Sequence, residues 1–215
     1  MAVVARAVAF AAVIGAVVFA AAGRLDLPFV WGILAVLVGF YVVITFTADP
    51  GLLSERVAPG GANRDRLTRP MAAVFLGSHW VLAGLDARFG WSPIPWELRA
   101  AGLAGYAAAL CVNLWAVRVN RFYSSAVRVQ ADRGQHVADA GPYRVVRHPG
   151  YTATIVATIA AGLALGSWVA LVPALGFVTL FVRRTVFEDR MLTAELPGYA
   201  DYARRVRSRL VPGVF

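Results

Sequence analysis

The densest chemistry in the chain is the run Gly141-Pro142-Tyr143-Arg144-Val145-Val146-Arg147-His148-Pro149-Gly150-Tyr151, where arginine, histidine and tyrosine stand among turn-forming glycine and proline. A guanidinium can orient a carboxylate through two parallel hydrogen bonds, an imidazole can move a proton near neutral pH, and tyrosine faces can receive a cation. Further on, Glu188-Asp189 continues directly from an apolar segment, and acids in such a place are costly unless partnered. Arg147 and Glu188 are therefore expected to meet across the intervening apolar stretch, with a local ion pair between Glu188 and Arg184, one helical turn earlier, as the alternative. Pro149 disfavours a helical His148 and suits the first turn of a following helix, which would place the imidazole at a helix mouth that favours anionic groups. For Tyr143 and Arg144 alone, a belt of interfacial anchors is the competing reading.

The elements that must hold these groups are membrane helices. The 215 residues are 59% hydrophobic and only 15% charged, and the mean hydropathy is +0.64, which excludes an ordinary soluble domain. Apolar runs near 7–22, 28–48, 71–86 and 98–117 each approach the roughly 20 residues that a spanning helix needs. The apolar stretch 151–182 is too long for one ordinary span and is interrupted by Gly162, Gly166 and Ser167, so a tight helical hairpin is expected there. The fold class expected is an all-α integral membrane protein of about six crossings. Residues 1–215 would form one membrane domain, with two N-terminal spans in 1–48 and the chemistry in 49–215.

Every basic residue is arginine, and with six crossings eighteen of the 21 fall on one side, leaving Arg24, Arg88 and Arg99 on the other. The positive-inside rule then predicts a multi-pass protein with both termini and the polar segments 118–150 and 183–215 in the cytoplasm. A formal charge of +9 could signal nucleic acid, but arginines clustered between apolar runs are better read as topology signals and contacts to anionic membrane lipids, so no nucleic-acid partner is expected. The one cysteine, Cys111, supports neither a disulfide framework nor a cysteine-based metal site. His79, Trp80 and Asn113 read as packing groups within spans, and Asp49-Pro50-Gly51 as a span terminator. Tyr199 and Tyr202 either line a pocket or lie on the membrane surface as part of a short amphipathic helix.

In order, Asp49-Pro50-Gly51-Leu52-Leu53-Ser54-Glu55-Arg56, His136, Gly141-Pro142-Tyr143, Arg147-His148-Pro149-Gly150-Tyr151, Glu188-Asp189 and Gly198-Tyr199-Ala200-Asp201-Tyr202 form a pattern. It resembles the isoprenylcysteine carboxyl methyltransferase family, whose wider group includes phospholipid methyltransferases. The likeness runs from about residue 49 to the C-terminus, and departs where many relatives carry two glutamates in place of Glu188-Asp189 and a glycine in place of Ala153. It implies an integral membrane enzyme that binds S-adenosylmethionine in a cytosolic pocket built from the loop before the hairpin and the C-terminal tail. By that likeness His136, Val137, Gly141, Tyr143, His148, Tyr151 and Tyr199 would line the cofactor, Glu188 would stand near its amino acid end, and Arg147 and Glu188 would lie closest to the reacting centre. The partners implied are a lipophilic acceptor, bearing an isoprenylcysteine-like carboxylate or a lipid amine, and membrane lipids; no oligomeric state is implied.

No strand followed by a glycine-rich dinucleotide loop is present, which agrees with a cofactor site made of helices. A carboxylate acceptor needs no base and would be oriented by Arg147, whereas an amine must lose a proton, for which Glu188 or His148 is the candidate. Two rival classes share some of the pattern. A membrane sterol or steroid reductase has a similar His-Pro-x-Tyr hairpin but uses NADPH, and a transporter or lipid-binding scaffold would carry charges in the middle of several spans.

Overall fold

The computed structural model describes residues 2–215, except the side chains of residues 2, 3, 56 and 57, so the Arg56 side chain of the sequence pattern lies outside the described residues. Eight α-helices account for most of the described chain: α1 (Ala2–Ala22), α2 (Pro28–Thr47), α3 (Pro50–Val57), α4 (Thr68–Phe89), α5 (Trp96–Val119), α6 (Pro149–Leu165), α7 (Leu171–Glu195) and α8 (Tyr199–Arg205). The all-helical expectation is met, and the apolar stretch 151–182 does break into a hairpin, with Gly166 ending α6. Gly162, expected near the break, instead lies inside α6 against His79 and Leu171.

Three helices are long and apolar enough to cross a bilayer: Val4–Ala22, Pro28–Thr47 and Trp96–Val119. The other three long helices differ from a simple span for identifiable reasons. α4 carries Arg69, His79, Asp86 and Arg88, and α6 has 17 residues, or about 25 Å of rise. α7 is apolar only over its first half, and from Arg183 onward it is a charged helix.

Small residues set the packing. α1 packs on α2 and α4, α4 on α7, and α5 most extensively on α6. At the α5–α6 crossing a Cβ on Gly102 would stand 2.6 Å from the Ala164 nitrogen and 2.8 Å from the Ala160 oxygen, so the two backbones approach as closely as only glycine permits. Asn113, in the C-terminal third of α5, donates to the Gly150 carbonyl at 3.2 Å and fixes the first turn of α6. His79 bonds through Nδ1 to the Ala170 carbonyl at 2.8 Å and ties α4 to the start of α7. Asp49 ends the α2 segment by accepting the Leu52 N–H at 3.0 Å, so the span terminator of the sequence is the N-cap of α3.

Gly102→Ala is expected to destabilise the detergent-solubilised protein by about 1–3 kcal/mol, because the contact it overfills is backbone rather than a movable side-chain tip. Gly105→Ala, whose new Cβ would meet Ala160 at an ordinary 3.5 Å, serves as the near-neutral control. Thermal melting of the two variants side by side checks the contrast.

Candidate active site

The cleft forms where the loop 120–148, the start of α6, the charged half of α7, α8 and the tail converge. The loop leaves α5 at Asn120, passes a short helical turn at Gly141–Arg144, and reaches His148, which caps α6 in a non-helical conformation with Pro149 in the first turn, as the sequence predicts. Gly150 is required here, since a Cβ would fall 2.4 Å from the ring of Tyr123, which covers the helix start.

Asp189 is the centre of the site's charge. It receives Arg147 in bidentate fashion, Nε to Oδ1 at 2.7 Å and Nη2 to Oδ2 at 2.8 Å, with both side chains buried. The Arg209 Nε adds a bond to Oδ2 at 2.9 Å, the Tyr199 hydroxyl donates to Oδ1 at 2.9 Å, and His148 Nε2 lies 3.3 Å from Oδ1. Burial alone would raise the Asp189 pKa, but the bonds from His148, Arg147 and Arg209 outweigh it and hold the carboxyl well below the usual carboxylate range. The Tyr199 phenol is pushed the other way by burial and by the Asp189 charge, so it stays a donor. Arg147 also strings the tail into place: its Nη1 donates to the carbonyls of Val206 and Arg207 at 2.7 and 2.8 Å, and its backbone N–H to that of Ser208 at 3.0 Å.

The sequence expectation that Arg147 meets Glu188 is corrected by this geometry. Successive residues on a helix diverge by about 100°, so only one of two adjacent acids can face the Arg147 side, and it is Asp189. Glu188 instead accepts from the Tyr151 hydroxyl, which in turn accepts from Arg184 Nε at 2.8 Å. The local alternative was thus half right, as Arg184 and Glu188 meet through an intervening phenol. Tyr151 also stacks on the His148 ring at a centroid distance of 5.6 Å and nearly zero interplanar angle.

Arg147, His136, Val137, Tyr143, His148, Tyr151, Glu188 and Tyr199 all line one cleft of about 700 Å³, its open mouth included. Gly141 does not line it; a Cβ there would meet Val119 and Trp115 of α5, so the residue shapes the loop turn from behind. Tyr199 and Tyr202 are 4% and 1% exposed and both line the cleft, so of the two readings of these tyrosines the pocket one holds. Tyr202 donates to the Tyr143 carbonyl at 2.7 Å and clamps α8 over the loop turn. Phe122, Tyr123, Arg128 and Gln130 also line the cleft and were not picked out in the sequence. Their signal was weak, because they lie in a loop without periodicity, with only an aromatic pair at 122–123 to distinguish it.

The donor set fits a cationic adenosyl cofactor. Phe122 and the edge-on His136, with ring centroids 4.9 Å apart, form an aromatic corner beside Val137. Glu188 is the carboxylate in the lining among the described residues, and Tyr143, Tyr151 and Tyr199 line the same space, with the Tyr151 ring held between His148 and the Arg184 guanidinium.

Comparison with known proteins bears on the same elements. Residues 98–196 match the family described as phospholipid methyltransferase, which upholds the sequence resemblance over the stretch from α5 to the end of α7. The cobalt-zinc-cadmium resistance protein CzcN of Cupriavidus metallidurans is 29% identical over 105 residues, 48% of this chain and 44% of that protein. The nickel-cobalt-cadmium resistance protein NccN of Alcaligenes xylosoxydans xylosoxydans is 28% identical over 109 residues, 50% of this chain and 47% of that protein. The chain thus spans about half the length of the curated relatives it matches.

Replacing Asp189 by Asn strands Arg147 and is expected to cost about 3–5 kcal/mol at neutral pH. Because the folded-state pKa is depressed, this contribution is complete above the unfolded carboxyl pKa of about 4 and is lost as pH falls towards the folded value. Melting temperatures of wild type and Asp189→Asn should therefore differ by a steady amount above about pH 5 and draw together only as pH falls further below about 4.

Proposed function

We propose that the protein is an S-adenosylmethionine-dependent methyltransferase of the membrane acting on a lipophilic acceptor. The observation that carries this reading is the convergence of the sequence-predicted cofactor residues, Gly141 apart, on one cleft, all but Tyr199 within the part of the chain that matches the methyltransferase family. Six crossings, with both termini and the cleft on the cytoplasmic side, accord with the one-sided arginine distribution.

When bound, the cofactor supplies a methyl group on a positively charged sulfur. Glu188 balances that charge from within the lining, where Tyr143 and Tyr199 are the further aromatic neighbours. Tyr151 donates to one oxygen of Glu188 and so fixes the direction of the other. The aromatic and aliphatic walls exclude water, and methyl transfer gains more from alignment and dryness than from an acid.

The engaged state of Arg147 favours an amine over a carboxylate as the acceptor. Its guanidinium is spent on Asp189 and on two tail carbonyls, so it lacks the open fork that would seize an acceptor carboxylate. An amine must lose a proton, and Glu188 is placed to take it. Arg147 then acts by holding His148 and the tail in position.

The test is a transfer assay with labelled donor and extracted membrane lipids or prenylated thiols. Glu188→Gln is expected to lower turnover by about 100-fold or more, by the usual worth of a positioned base, with membrane insertion unchanged. S-adenosylhomocysteine should raise the melting temperature of the wild type. Stabilisation by NADPH alone would point to the reductase class, and stabilisation by neither, with no transfer to any acceptor, would overturn the methyltransferase reading.

A further inference from the structure

The wall of the cleft formed by Ser124, Ala126 and Arg128 is held from outside the family-matched region, by α3 and the loop that follows it. Glu55, in α3, is 4% exposed and accepts four hydrogen bonds. Arg128 provides two of them, Nε to Oε1 at 3.0 Å and Nη2 to Oε2 at 2.9 Å. The Ser124 hydroxyl reaches Oε1 at 3.0 Å, and the Gly60 N–H reaches Oε2 at 3.1 Å. Asn63 and Arg64 extend the seam, with the Val127 N–H donating to Asn63 Oδ1 at 2.9 Å and the Arg64 N–H to the Val127 carbonyl at 3.1 Å.

The electrostatics of this seam bear directly on a cationic ligand. Arg128 lines the cleft with its side chain 9% exposed, and a bare guanidinium there would repel a positively charged donor. Glu55 neutralises it from the protein side, while the exposed Asp132 adds a second contact at 2.7 Å. The bond from Arg128 holds the Glu55 carboxyl below the usual range, so the pair stays ionised. Serine and arginine, two groups on the cleft wall, thus share one buried carboxylate more than sixty residues earlier in the chain.

We propose that Glu55 is a positioning and charge-balancing residue of the donor site, which offsets Arg128 so that the cleft accepts a ligand with a cationic sulfur. This rests on the methyltransferase reading and adds a role for a helix that neither the family match nor the relatives assign. The consequence is a difference between two ligands of nearly the same shape. S-adenosylmethionine carries the positive sulfur and S-adenosylhomocysteine does not, so loss of the Glu55 charge should penalise the first more than the second.

The experiment is calorimetry with both ligands on full-length protein in nanodiscs. Glu55→Gln is expected to weaken S-adenosylmethionine roughly tenfold and S-adenosylhomocysteine by about threefold or less, the difference being the charge contribution at an effective dielectric of about 20. Glu55→Gln combined with Arg128→Gln should restore the wild-type ratio of the two affinities, since both charges are gone. Arg128→Gln alone should leave S-adenosylmethionine bound at least as well relative to S-adenosylhomocysteine, and this arm decides the matter should Glu55→Gln fail to fold. Equal losses for both ligands, or no loss, would overturn the proposal while leaving the methyltransferase reading in place. A wild type that binds neither ligand would overturn both.

Discussion

The buried contact between Arg147 and Asp189 is the constraint on which the rest of the site depends. Two charges taken out of water are tolerable only when their remaining hydrogen-bonding capacity is met, and here it is met by groups from every element around the cleft. The carboxylate gathers Arg209 from the tail, Tyr199 from α8 and His148 from the mouth of α6. The guanidinium gathers the carbonyls of Val206 and Arg207. Loop, hairpin, tail helix and tail are thereby fixed relative to one another by one ion pair, and the cleft is the space they leave between them.

A second polar arrangement explains how charge is distributed around that space. Asp189 is saturated by its partners and does not line the cleft, whereas Glu188, one residue earlier, does and is bonded to Tyr151. Two neighbouring carboxylates are thus parted by helical geometry, one buried in an ion pair and one lining the cleft. Arg184 supports Glu188 indirectly, with Nε on the Tyr151 hydroxyl and Nη2 on the Ser125 carbonyl at 3.0 Å. The same separation applies to the arginines: Arg147 and Arg128 both reach the cleft, and each arrives already matched by an acid.

Much of this was legible in the chain itself, for reasons that differ from residue to residue. The hairpin announced itself because an apolar stretch of that length cannot be a single ordinary span, and His148 as a helix cap followed from Pro149 alone. The gathering of Tyr143, Tyr151, Tyr199 and His136 followed from the family resemblance, which fixes an order of motifs rather than their distances. The partner of Arg147 was misread because adjacency in sequence hides the angular step between Glu188 and Asp189. Phe122, Tyr123 and Arg128 escaped notice because an irregular loop has no period to betray its inner face. The bond from Arg128 to Glu55 spans 73 positions, and a contact of that range leaves no local signature.

The order in which the site's parts leave the ribosome has a consequence of its own. Vectorial synthesis delivers α1 through α6 before Asp189 exists, and Arg209 emerges later still. Until then Arg147 lacks its counterion, and an unpaired guanidinium is burdensome to bury, so the ion pair can close only as the last segments fold back over it. The cleft itself is complete only once Tyr199 and Tyr202 of α8 have been made and have folded over it.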